Sequence, residues 1–226
     1  MLYVFPTILV FKICKLKIAN PVSTSIQRIR RSEYPEMYRP HLFVSIYELP
    51  ADYVRLVLFA EDSDFFTHRG FHLGYISYAF RLNRKLGYKA YGASTVTQQS
   101  ARTLFLTPRK TYARKAAELI LSLSLELAIS KERILELYLN YAELGPGIYG
   151  VAEAAHAYFR KLPSELSLEE MLSLVSIMPN PLLYQPDNFK SSRLLVRRYE
   201  SLIRFSRHAF NHTPVLRSDI RRIESP

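Results

Sequence analysis

Beyond its first forty or so residues the chain repeats apolar positions mainly at intervals of three and four, the period of a helix with one buried face. "ELPADYVRLVLFAEDS" has a helix-start signal at Pro50 to Asp52 and puts Val54, Val57 and Leu58 on one side, so Glu61 falls near the C-terminal end of a buried helix. Gly70 and Gly74 then break or turn the chain. "TYARKAAELILSLSLELAI" predicts a long helix, apolar nearly all round from Leu119 and therefore central, with Arg114, Glu118 and Ser122 on one stripe. "SKERILELYLNYAEL" starts at an N-cap, Ser130, and groups Ile134, Leu135, Tyr138 and Leu139. "GPGIYG" reads as a loop, "VAEAAHAYF" as a return to helix, and "SLSLEEMLSLVSIMPNP" as a capped helix ended by Pro179 and Pro181. Alternating strand patterns are confined to short pieces such as "LFVSIY", so the expected fold is mainly α.

Composition narrows the class. At 226 residues and 48% apolar, the chain can bury one sizeable core, which predicts one domain with trimmings. Its seven glycines are few for an all-β sandwich or a glycine-rich nucleotide fold, and the single Cys14 excludes an intramolecular disulfide framework. A net charge of +11 suggests nucleic acid at first sight. The excess, however, lies in the tails: residues 1–39 hold 7 basic and 2 acidic side chains, residues 190–226 hold 9 and 3, and the middle holds 15 of each. Within that neutral middle, residues 65–117 carry ten Lys or Arg and no Asp or Glu, with Glu61 and Asp64 before the stretch and Glu118 after it. A site that attracts a polyanion while keeping a few acids for chemistry has this pattern; chance clustering on a solvated surface is the bland alternative.

The N-terminus, "MLYVFPTILVFKICKLKIANP", has an uninterrupted apolar run only from Met1 to Phe11, too short to span a bilayer, with Lys12, Lys15 and Lys17 after it. It lacks the charge order and cleavage site of a secretory signal. Three readings stay open: the remnant of a membrane anchor, an interfacial segment whose lysines face anionic lipid, or an ordinary core segment.

Candidate chemistry centres on the acids. His68 and His72 are four apart, but Gly70 between them interrupts the helix that would align them and a third strong ligand is missing, so a histidine metal site is disfavoured. Paired carboxylates are standard equipment for glycosyl chemistry, one moving a proton and the other stabilising charge. Glu61, among Phe59, Phe65 and Phe66, is expected to be partly desolvated, which raises a carboxyl toward the working range of a general base. Glu118 follows Arg114 and Lys115 by one turn, which favours its ionised form. Between them "GASTVTQQSARTLFL" concentrates hydroxyls and amides at the start of a helix, able to surround phosphate or sugar oxygens.

That stretch resembles the signature of the peptidoglycan glycosyltransferases, glycosyltransferase family 51. Four further stretches resemble the family's other motifs, in order: "EDSDFFTHRG", "RKAAELILSLSLE", "KERILELYLNYAELGPGIYGVAEAAHAYF" and "LSLEEMLSLVSIMPNPLLYQP". The similarity runs from residue 61 to 186 and is nearer to the monofunctional transglycosylases than to the polymerase domain of class A penicillin-binding proteins. It implies a lysozyme-like helical lobe with a smaller membrane-associated lobe. An N-terminal membrane-proximal or anchor-remnant segment would fill residues 1–39 and the glycosyltransferase domain residues 40–226, with a basic C-terminal helix from about residue 190.

The implied substrate is lipid II, joined to a growing glycan strand at the outer face of the bacterial cytoplasmic membrane. Cell-wall transpeptidases are the implied protein partners, with no nucleic acid. By the family pattern Glu61 is the base that deprotonates the GlcNAc 4-hydroxyl for inverting attack on MurNAc C1. Glu118 helps to place the diphosphate leaving group, through either a divalent cation (Mg or Mn) or the neighbouring basic groups. Arg114, Lys115, Ser94, Thr95, Gln98, Gln99 and Arg102 match donor-binding positions, and Asp62, Phe65 and His68 support the base.

Two departures stand out. Arg102 replaces the family's usual Lys and forks its donors, and "GAST" replaces the commoner "GGST", adding a Cβ. Residues 71–91 mix aromatics with Arg and Lys as a membrane-surface segment does. The rival readings are a lipid II-binding relative with weak turnover, a lysozyme-like enzyme that cleaves finished glycan, and a basic protein that binds nucleic acid or anionic membrane.

Overall fold

The computed structural model describes residues 4–37, 41–87 and 92–210, and its helices start where the sequence supplies caps. Thr24 and Gln27 close a capping box on α2 (Ser25–Glu33), as do Thr95 and Gln98 on α5 (Val96–Phe105) and Ser167 and Glu170 on α9 (Leu168–Ile177). Single side-chain caps from His72, Thr111 and Ser130 start α4 (Leu73–Leu86), α6 (Tyr112–Ala128) and α7 (Lys131–Tyr141). Each such cap satisfies amide groups that the first turn would leave unpaired, and losing one typically costs about 1 kcal/mol. The remaining helices are α1 (Val4–Lys15), α3 (Ala51–Glu61), the short α8 (Gly150–Ala154) continued by a wide turn through Phe159, and α10 (Arg193–Phe210). The chain is mainly α, as expected.

α5 is the hub. It packs against α2, α6 and α7, while α9 packs between α3 and α10. Leu56, Val57, Val96, Ala101, Leu125, Ile134, Leu174 and Val175 are wholly buried where these helices meet. Side chains of the Val, Leu and Ile type contribute about 1.5–3 kcal/mol each on full burial, so this layer fixes how α3, α5 and α6 sit together.

Four local expectations change. Strand pairing is found not at "LFVSIY" but at "GPGIYG", where β1 (Glu143–Gly145) and β2 (Ile148–Tyr149) form a two-stranded hairpin. Val44 and Ile46 instead give their backbone groups to α7 side chains. Asn140, wholly buried, exchanges two 2.8 Å hydrogen bonds with the Val44 backbone, and Glu136 accepts from the Ile46 amide at 3.0 Å. α6 is not central, since Ile120 and Leu127 on its outer face are exposed. Gly74 lies inside the first turn of α4 rather than breaking it. The helical spacing of Leu194, Leu195, Tyr199, Leu202 and Ile203 predicts one apolar stripe on α10; it holds through Leu195 and Leu202, but Leu194 points outward.

Of the N-terminal segment, Ile13 and Leu16 enter the core. Arg133 donates to the carbonyls of Leu16 and Ala19 at 2.8 and 3.1 Å, and the Tyr141 hydroxyl to that of Pro21 at 2.6 Å, so the second half of the segment docks on α7. Val10 and Phe11 are exposed. Among the described residues no helix is long and apolar enough to cross a membrane. α4 stands apart from this core: Leu73, Ile76, Tyr78 and Phe80 are exposed beside Arg81, Arg84 and Lys85.

Candidate active site

Glu61 ends α3 because the chain turns sharply at Asp62, whose amide still bonds back to Leu58. Its carboxylate is held from two sides. The Gln99 amide of α5 donates to Oε2 at 2.8 Å, and the Arg198 guanidinium of α10 pairs with Oε1. Arg198 is itself fixed by donating to the Ala60 carbonyl at 3.1 Å and the Val175 carbonyl at 3.2 Å. Glu61 is mostly enclosed, as expected, with its side chain 13% exposed, but the phenylalanines are not what encloses it: Phe65 is wholly buried under Lys131, Phe59 stacks on Phe205, and the carboxylate faces an amide and a cation. Behind Gln99, the Tyr138 hydroxyl donates to its Oε1 at 3.4 Å. Burial, reinforced by the Glu61 charge, raises Tyr138 well above its ordinary range, so it stays a neutral donor.

The turn after Glu61 is locked to α5. Both Asp62 oxygens lie 2.9–3.0 Å from His68 Nε2, and Oδ2 also accepts from the Val96 amide at 2.9 Å. Thr95 donates to the Gly70 carbonyl at 2.7 Å. Gly70 has φ +89°, and a Cβ there would stand 3.2 Å from the Ser122 backbone of α6, so glycine is needed both for conformation and for approach. One turn earlier on α6 is the wholly buried Glu118.

Glu118 holds two cations. Arg114 donates to Oε2 at 2.7 Å and Lys115 pairs with Oε1, while Lys115 also reaches the Ser94 hydroxyl at 2.9 Å. The donor set does not fit a divalent cation, because both carboxylate oxygens are already neutralised by positive side chains and no third acid or histidine joins them among the described residues.

A cleft of about 260 Å³ joins the two glutamates through their partners: Gln99, which touches Glu61, and Arg114, which touches Glu118, both line it. Arg102 and Lys110 add positive charge, and Tyr138 and Asn180 add polar groups. Among the described residues the Arg102 guanidinium has no hydrogen-bond or ion-pair partner. The structure thus brings Gln99, Arg102 and Arg114 to the cleft, with Lys115 and Ser94 linked to them through Glu118. Asp62, Phe65, His68, Thr95 and Gln98 are buried behind it; Thr95 and Gln98 form the α5 capping box, and Asp62 and His68 the lock. Arg198 is the residue that sequence reading missed. Its signal was its place on α10, three after Leu195 and four before Leu202, a charge on the buried stripe that calls for a buried partner.

A helical domain in which a basic, amide-lined cleft connects two enclosed glutamates is built for glycosyl chemistry on an anionic donor. The family model described as Transglycosylase matches residues 27–204, and the chain belongs to that family. It is similar to the biosynthetic peptidoglycan transglycosylase of Paraburkholderia phytofirmans (strain DSM 17436 / LMG 22146 / PsJN), 35% identical over 189 residues that cover 82% of this chain and 78% of the relative. The protein of the same description from Thiobacillus denitrificans (strain ATCC 25259 / T1) is 38% identical over 165 residues, 73% and 70% of the two chains. That from Alcanivorax borkumensis (strain ATCC 700651 / DSM 11573 / NCIMB 13689 / SK2) is 44% identical over 139 residues, 61% and 57%. The chain is a glycosyltransferase of glycan-strand synthesis.

Proposed function

We propose that this enzyme polymerises lipid II into linear peptidoglycan strands by inverting glycosyl transfer. The carrying observation is the cleft that reaches one glutamate through Gln99 and the other through Arg114. In this reading the GlcNAc 4-hydroxyl of the acceptor gives its proton to Glu61 as its oxygen bonds to the donor MurNAc C1. The bond from C1 to the diphosphate breaks, and undecaprenyl diphosphate leaves with the electron pair. Arg114, Arg102 and Lys110 face the charge that develops on it, and Glu118 keeps Arg114 and Lys115 oriented. Gln99 and Arg198 hold Glu61 in place and the family's usual lysine position is served by the forked donors of Arg102.

The exposed apolar and basic face of α4 supports work at a membrane surface, and peptidoglycan synthesis places that surface on the outer side of the cytoplasmic membrane. The strands made would be substrates for cross-linking transpeptidases. Polymerisation of labelled lipid II in detergent, resolved as glycan ladders, tests the reading: wild type gives ladders and Glu61→Gln gives none. Well-folded wild type that binds lipid II without forming ladders would overturn it in favour of a substrate-binding relative.

A further inference from the structure

α10 has two faces of different character. Its apolar side, with Leu195 and Leu202 buried, packs on α3 and α9. On the opposite side Arg193, Arg197, Glu200, Arg204 and Arg207 are all exposed. Their spacing of 4, 3, 4 and 3 residues averages 3.5, so they form one narrow row along the helix, about 21 Å long at 1.5 Å per residue. None of these five side chains has a hydrogen-bond or ion-pair partner among the described residues. Arg198, on the inner side, is by contrast fully engaged with Glu61, Ala60 and Val175.

A 3.5-residue repeat keeps one straight seam toward one neighbouring helix, which is how paired helices meet. Arginine at four of the five positions suits carboxylates, which its planar fork grips with two parallel hydrogen bonds. Leu194, exposed beside Arg193, adds one apolar contact. Other occupants fit less well. A lipid surface takes an amphipathic helix by its apolar side, and that side of α10 is buried in the core. A sheet or run of phosphates would also meet Glu200 as a repulsion at the centre of the row. A second copy laid row on row sets arginine against arginine. The chain's own residues 211–226 carry three basic and two acidic side chains, too few acids to neutralise the row. We infer that this row is a docking surface for an acidic helix of another protein, one with carboxylates at the same spacing and a basic residue opposite Glu200. Arg197 and Arg198 are neighbours on opposite sides of α10, so a partner seated on the row grips the helix that holds Glu61.

The test uses the full chain and labelled alanine-rich helical peptides of about 20 residues, followed by fluorescence anisotropy. The matched peptide carries Glu, Glu, Lys, Glu and Glu at the spacing of the row; the control has the same composition with its charges spread round the helix. At about 50 mM salt wild type is expected to bind the matched peptide about tenfold more tightly than the control, a preference that shrinks as salt rises. Arg193→Gln/Arg197→Gln/Arg204→Gln/Arg207→Gln abolishes the preference and leaves the thermal midpoint in place, since none of the four has a partner to lose. Glu200→Lys reverses the choice at the central position, so that this variant prefers a peptide with Glu in place of the Lys. Equal affinity of wild type for matched and control peptides overturns the inference, and so does a Glu200→Lys chain that still prefers the Lys-centred peptide. Vesicles of phosphatidylglycerol and phosphatidylcholine supply the lipid arm. Vesicle binding that the four substitutions remove, and that the matched peptide does not displace, overturns the inference and assigns the row to a membrane. All of these measurements read binding without substrate and are independent of the lipid II reading.

Discussion

Arg198 and Glu61 are 137 positions apart in the chain and form an ion pair at the candidate site, tying the last described helix to the end of the third. The pair is mostly enclosed, with side-chain exposures of 21% and 13%, so removing one member leaves a poorly solvated charge. Arg198→Ala is expected to destabilise the domain by about 2–4 kcal/mol in urea denaturation and to abolish ladder formation. Adding Glu61→Gln should recover part of the stability and none of the activity. Costs that add without coupling in the double-mutant cycle would mean that the pair does not stabilise the fold.

Asp62 tests whether the turn after Glu61 is rigid by construction. It is 2% exposed and serves His68 and the Val96 amide together. Asp62→Ala strands the Val96 amide and the His68 ring, and a cost of about 2–4 kcal/mol follows from those lost partners. Asp62→Asn keeps an acceptor for the amide and should cost about half as much. Both substitutions act on placement of Glu61, so glycan synthesis should fall even at temperatures where the variants stay folded, measured by rate against circular dichroism.

The parts legible in the sequence were those governed by local rules. The capped starts of α7 and α9 followed from their serines, and the stripe of Arg114, Glu118 and Ser122 followed from helical period, with the last two wholly buried. The hairpin at 143–149 was not legible because its pairs are too short to alternate, and "LFVSIY" misled because α7 side chains, not a second strand, satisfy its backbone. Distance in sequence hid Arg198, and Thr95 and Gln98 looked like ligand donors because a capping box uses the same residue types as a sugar site.

Glu118 is buried with Arg114 and Lys115 on its two oxygens, so it acts through them. Glu118→Gln keeps the shape and removes the charge, leaving one amide oxygen where two cations had a carboxylate. If the proposed mechanism holds, the outcome is a fall in kcat of about 10²-fold, with a smaller change in KM, because in it the cations are needed most when the diphosphate departs. A rise in KM alone would assign the cluster to substrate binding instead.

His41 gives a signed pH dependence. Burial lowers it from an ordinary 6.5 to about 4, so the folded chain takes up its proton only in more acid solution than the unfolded chain does. Between those values the unfolded state binds more protons, and stability falls as pH falls, with a slope of at most about 1.4 kcal/mol per pH unit for one proton. Glu143 on the neighbouring hairpin works in the opposite sense: burial raises it against the pull of Arg30, so protonation there favours the folded state as pH drops. The histidine contribution is isolated by difference. His41→Phe, which preserves a ring to stack on Tyr141, should flatten the loss of stability from about pH 6.5 to 4 in thermal denaturation, whereas Glu143→Gln should steepen it. Parallel pH profiles for wild type and His41→Phe would show that the enclosed ring protonates as freely folded as unfolded.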